Sequence, residues 1–137
     1  MNYLLIYFSV LLVTFSIIGH GFILSRLVNI ELLKFNIGYI GLLGLLNLVI
    51  ISYITIFFFK HGYTHNLILH SIGLISFFFH IKENKLKKDL FKLLILLSIL
   101  FCGLLIIRNH DDFSYYHFTY SLGLTENKIF FGLGNFQ

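Results

Sequence analysis

Four apolar runs divide the chain, at about Tyr3 to Ser25, Ile37 to Phe59, Asn66 to Ile81 and Leu90 to Ile107. Polar stretches separate them: RLVNIELLKFN, KHGYTH and KENKLKKD. None of the runs alternates with the two-residue period of a membrane barrel strand. A helix satisfies its own backbone donors and acceptors, as lipid demands, so each run predicts a helix. About 20 residues rising about 1.5 Å each cross a hydrocarbon core of about 30 Å. The first two runs reach that length with some tilt. The third and fourth lie near the lower limit; the third contains His70 and reads as a short span, with a re-entrant piece as the alternative. The expected fold is all-α: a polytopic membrane protein with four spans over residues 1–107 and an external segment over 108–137.

Composition moves the chain further toward a lipid solvent. It is 58% hydrophobic and only 12% charged, about half the charged share of an ordinary soluble domain, roughly 25%. The net charge of +4 does not point to nucleic acid, because the lysines cluster between apolar runs, where they report membrane orientation. Cys102 is alone, which excludes an intrachain disulfide. The N-terminal MNYLLIYFSV lacks a basic leader and a small-residue cleavage site, so it reads as a retained anchor.

Orientation follows from the basic residues. With ENKLKKDLFK as a cytoplasmic loop, Arg26, Lys34, Lys82, Lys85, Lys87, Lys88 and Lys92 lie inside, and Lys60, Arg108 and Lys128 lie outside. That bias puts the N-terminus and the C-terminal tail on the extracytoplasmic side of the cell's inner (plasma) membrane.

In the second run Gly38, Gly41, Gly44 and Asn47 recur every three residues and drift slowly along one helix face. Small residues admit a neighbouring backbone, and an asparagine can bond across the contact. The face suits packing within the chain or a dimer. Among the seven histidines, His61 and His65 stand four apart, as metal-binding pairs do. HGYTH has no acidic partner inside the motif, and histidine is equally suited to a membrane interface with one tip wet. No metal is assigned on these residues.

The stretch RNHDDFSYYHFTY leaves the fourth run with two adjacent acids. Asp111 and Asp112 have two readings. They cap a surface helix, where carboxylates meet free N–H groups and the positive dipole end. Phe113, Tyr116, His117, Tyr120 and Leu124 continue such a helix as an amphipathic stripe lying in the interface, with Gly123 as its terminator. Alternatively, the acids face the headgroup of a lipid-linked phosphate, as general base or as holder of a divalent cation.

A span ending in an exposed acidic pair and an aromatic-rich juxtamembrane helix resembles the first external loop of GT-C-type glycosyltransferases. NHDDFSYYHFTYSLGLTENKIFFGLGNFQ also looks like a region of bacterial inner-membrane proteins suspected of surface-polysaccharide work. The resemblance implies a polyprenyl-phosphate-linked sugar as partner and Asp111 and Asp112 as catalytic acids. His110, Tyr115, Tyr116 and His117 would then orient phosphate or sugar. Such enzymes carry more than four spans and this tail ends without a helix stop, so the chain is expected to be the N-terminal portion of a longer protein. The rival is a small non-enzymatic membrane protein acting through its helix faces. A transporter reading is weaker, because no run carries the buried acid or base pair of an ion relay.

Overall fold

The computed structural model describes residues 2–29, 36–82, 84–106 and 117–129. These form five helices and, among the described residues, no strand: α1 (Tyr3–Leu27), α2 (Ile37–Thr55), α3 (Tyr63–His80), α4 (Asn84–Leu104) and α5 (His117–Glu126). The all-α expectation holds. Among the described residues α1 and α2 are long and apolar enough to cross a membrane. Both are apolar all the way round, as a fully immersed helix must be. α3 carries His65, His70 and His80, and α4 takes KLKKD into its first turns. Length and composition therefore mark two candidate spans among the described residues.

Local chemistry explains most boundaries. Asn2 caps α1 and Asn36 caps α2, their side-chain oxygens accepting from Leu5 N–H at 3.4 Å and Tyr39 N–H at 3.0 Å. α1 ends where Asn29 turns left-handed at φ 54°, a conformation asparagine tolerates better than most residues. Two boundaries depart from the sequence pattern. α2 stops at Thr55, short of Phe59, where Phe58 N–H takes a tighter bond three residues back to the Thr55 carbonyl at 3.0 Å and shares it with Phe59 N–H at 2.8 Å. α4 begins at Asn84, so the lysine-rich stretch is helix and not loop; lysine and leucine favour helix, and no Gly or Pro interrupts them.

α5 also differs from the expected stripe. Gly123 lies inside it, with Asn127 N–H bonded to the Gly123 carbonyl at 2.9 Å. Its apolar residues form two pairs, Phe118 with Leu122 and Tyr120 with Leu124, about 200° apart by helical spacing. The helix is apolar on two faces.

The chain divides into two compact units. The first comprises residues 1–48 and 70–107, with a core of Ile18, Phe22, Ile37, Ile40, Phe77 and Leu86. Glycine sets its helix spacing. A Cβ on Gly19 of α1 would strike the Gly73 carbonyl of α3, and one on Gly21 would strike the Ile40 carbonyl of α2. Gly19 and Gly21 are about 200° apart on the helix, so α1 admits α3 on one side and α2 on the other. Gly44 answers from α2, its missing Cβ replaced by the Ile17 carbonyl. Carbonyls this near glycine Cα atoms suit Cα–H···O contacts, each worth about 0.5–1 kcal/mol. Phe15 stacks on Phe77 at 4.7 Å.

The second unit comprises residues 49–69 and 108–137. Two backbone bonds tie its loop to the helical tail: His61 N–H donates to Leu124 O at 2.9 Å, and Ile129 N–H to Ile56 O at 3.2 Å. The first of these satisfies a carbonyl that the last turn of α5 leaves open.

Candidate functional site

Each unit holds a histidine cluster. In the first, polar side chains pin three helices to α1. Tyr7 and Ser98 hydroxyls bond at 2.7 Å, linking α4. Ser76 Oγ of α3 donates to Gly19 O at 2.9 Å, and Ser16 Oγ meets His70 Nδ1 at 3.1 Å. From α2, Asn47 Nδ2 reaches both His20 Nδ1 at 3.1 Å and His20 O at 3.4 Å.

The Asn47 contacts fix the His20 tautomer. A carbonyl only accepts, so the amide nitrogen faces His20 O; the same nitrogen donates to Nδ1, and the ring proton sits on Nε2. His20 is 1% exposed and lies between Gly19 and Gly21, the two glycines that admit the flanking helices. His80 donates through Nδ1 to Ser76 O at 2.8 Å and stacks on Phe22 at 5.1 Å. Among the described residues no buried side-chain nitrogen or oxygen lacks a partner. This is the arrangement polar groups need in a low-dielectric bundle, where each unpaired one would cost about 1–3 kcal/mol.

The second cluster stands where α2 ends and α3 begins. His61 and His65 stack with ring centroids 4.2 Å apart and planes 9° from parallel. Both direct Nε2 at one atom, Thr55 Oγ1, from 3.1 and 3.0 Å. Asn66 closes the group: its Nδ2 donates to His61 O at 3.1 Å, and its Oδ1 meets His65 Nδ1 at 3.3 Å. Burial first, and the neighbouring His65 second, hold the His61 imidazole below its ordinary pKa. Beside the pair opens a cavity of about 420 Å³ lined by Lys60, Gly62, Tyr63, Thr64, His65 and Thr125.

The residues singled out in the sequence are distributed unevenly. Asp111, Asp112, His110, Tyr115 and Tyr116 lie outside the described residues. His117 is exposed at the first described position of α5. Gly44 and Asn47 are buried against α1. Gly41 has open space around it, and Gly38 meets only the Asn36 side chain at 3.2 Å. Among the described residues no three His, Cys, Asp or Glu side chains gather as a metal site. The spacing of Asn47 signals a bond across a helix contact but not its partner; the GHG triplet at 19–21 is the signal that points to His20. Nothing in the spacing of HGYTH marks Thr55 as the shared acceptor.

No family model matches this chain, and comparison finds neither a similar curated protein nor a similar solved structure. The class that fold and sites define is thus a helical protein with two candidate membrane spans and a polar cluster in each unit.

Proposed function

We propose that this chain is part of a multi-pass plasma-membrane protein that handles a lipid-linked phosphate at its outer surface. Four spans, with both termini extracytoplasmic, suit the seven-to-three distribution of basic residues. A lipid solvent also suits Leu42, Phe79, Phe91 and Ile99 of the first unit, each at least half exposed, since water-soluble monomers expose few large apolar patches.

One observation carries the functional reading: the cavity beside the His61–His65 pair. Lys60, Thr64, Thr125 and His65 line it. The lysine suits a phosphate as a point charge, with Thr64 beside it; the Thr125 hydroxyl is held by Leu122 O at 2.7 Å. In the four-span orientation Lys60 faces outward, as do the acids at 111 and 112. On the GT-C-like reading Asp111 is the general base for an acceptor hydroxyl, Asp112 supports it, and His110, Tyr115, Tyr116 and His117 orient the sugar, with a divalent cation on the phosphates.

The test uses the full chain in lipid nanodiscs. A short-chain polyprenyl phosphate binds, and Lys60→Met weakens it about tenfold, the value of one lost charge-assisted contact of roughly 1.4 kcal/mol. Equal binding of the neutral polyprenol would sink the phosphate reading. Asp111→Asn abolishes sugar transfer by the full-length protein while leaving membrane insertion unchanged.

A second reading has its own support. Gly38 and Gly41 continue the α2 glycine series, yet no side chain of the described residues covers Gly41. That suits a non-enzymatic protein that docks another helix on this face. Gly41→Leu would then shift the oligomeric state in nanodiscs.

A further inference from the structure

The second cluster permits one pattern of protons when both rings are neutral. The Asn66 amide nitrogen must face the His61 carbonyl, so its oxygen faces His65 Nδ1. His65 therefore carries its proton on Nδ1 and offers a lone pair at Nε2. Thr55 has a single hydroxyl proton and gives it to that lone pair at 3.0 Å. His61 must then donate its own Nε2–H to Thr55 Oγ1 at 3.1 Å. Every donor in this chain has one acceptor and none is left over.

Adding one proton needs little rearrangement. The Ser52 carbonyl lies 3.4 Å from Thr55 Oγ1. Once His65 Nε2 gains a proton it donates to Thr55, whose hydroxyl then turns to Ser52 and accepts from both rings. No backbone has to move. A second proton meets a cation in a ring 4.2 Å away. At an effective dielectric of about 20 that repulsion opposes it by on the order of a hundredfold or more.

We infer that Thr55, His61 and His65 form a one-proton switch, and that its proton on His65 converts the cavity beside Lys60 into a site for a phosphate anion. The ligand class rests on the outer-surface phosphate reading above; the switch does not. Among the described residues, the groups that bear on the pair come from the loop, α2, α3 and α5. Lys60 comes from the loop and Tyr63 from α3, and both line the cavity. α2 contributes Ser52 and Thr55, and α5 contributes the uncharged Thr125. The described lining of the cavity thus gains a positive charge beside Lys60 when His65 takes the proton, and an anion is the ligand that gains.

Imidazole ¹⁵N spectra of the full chain in nanodiscs, taken between pH 8 and pH 4, test the switch. At pH 8 His65 is expected in the Nδ1–H form and His61 in the Nε2–H form. On acidification His65 becomes doubly protonated first, while His61 keeps its tautomer. Thr55→Val, which keeps the shape and removes the hydroxyl, abolishes the His61 tautomer preference. Inorganic phosphate, which itself passes from dianion to monoanion over this range, is titrated at pH 8 and again below the His65 step with the parent and with His65→Gln; on acidification the parent gains about tenfold in affinity relative to His65→Gln. An Nε2–H tautomer on His65, or equal proton uptake by both rings in one step, overturns the switch. Correct tautomers with no phosphate bound at either pH leave the switch standing and remove the phosphate reading of the cavity.

Discussion

His20 and His61 are both hydrogen-bonded imidazoles, yet their surroundings hold them in different ways. His20 is 1% exposed, and a backbone carbonyl of its own residue fixes the amide that faces it. His61 is half-buried, and a rotatable hydroxyl faces it. The first partner cannot reverse its role without turning an amide oxygen toward a carbonyl oxygen. The second reverses by rotating one O–H bond. An imidazole is therefore a fixed strut in one unit and an exchangeable group in the other, and the difference lies in the partner.

The largest effect that breaks this comparison is steric. Gly44→Leu drives a side chain into the Ile17 carbonyl and the Gly21 nitrogen, backbone atoms that cannot step aside. It separates α2 from α1 and takes Asn47 away from His20. Overpacking of this kind typically costs about 1–3 kcal/mol and sometimes more. Gly41→Leu, three residues earlier in open space, should leave the monomer within about 0.5 kcal/mol of the parent. Denaturant unfolding in mixed micelles compares the two. Equal losses would mean that α2 does not use Gly44 to approach α1.

The next effect is chemical. Asn47→Ala leaves His20 Nδ1 and the room of the amide unfilled. The loss should be about 1–2 kcal/mol, between the modest value of an interhelical bond in lipid and the cost of an orphaned buried acceptor. Asn47→Asp is a sharper probe, because a carboxylate offers no donor to either His20 atom. It should destabilise more than alanine at neutral pH. Less destabilisation than alanine would mean that the ring, and not the amide, adapts. Tyr7→Phe removes only the hydroxyl that meets Ser98 at 2.7 Å on exposed helix faces, and about 0.5–1 kcal/mol is expected.

How much of this can be read from the sequence depends on the distance between the partners. The four apolar runs are local, and a helix forms on each, with bounds shifted by up to about two turns. α4 departs because lysine serves as well in a helix as in a loop, so a charge cluster does not mark an element boundary. α2 departs because its end depends on Thr55, whose partners His61 and His65 belong to the next loop and helix. Asn47 is recognisable as a contact residue by its place in the glycine series, but His20 lies 27 residues away. Only the packing of α1 on α2 joins them. The HGYTH spacing suggests a metal, whereas the rings stack face to face and share a threonine. The acids at 111 and 112, the strongest chemical signal in the sequence, lie outside the described residues.

The smallest expected effect is the acid dependence of the second unit, and its sign can be worked out. Burial and the adjacent His65 hold the His61 imidazole in the folded protein below its ordinary pKa of 6.5. Well above pH 6.5 the ring is neutral folded or unfolded, and it contributes no slope. As the pH falls through about 6.5 the unfolded segment takes up a proton that the folded one resists, so stability declines with acidity. The decline levels off once the pH is below the folded value, when both forms carry the proton. The sensitive reporter is the His61 amide, whose N–H is held by Leu124 O at 2.9 Å. Its hydrogen-exchange protection, corrected for intrinsic rates, should fall between pH 7 and pH 5, and His61→Gln should flatten that dependence. An equal decline in His61→Gln would mean that the ring does not set the acid dependence.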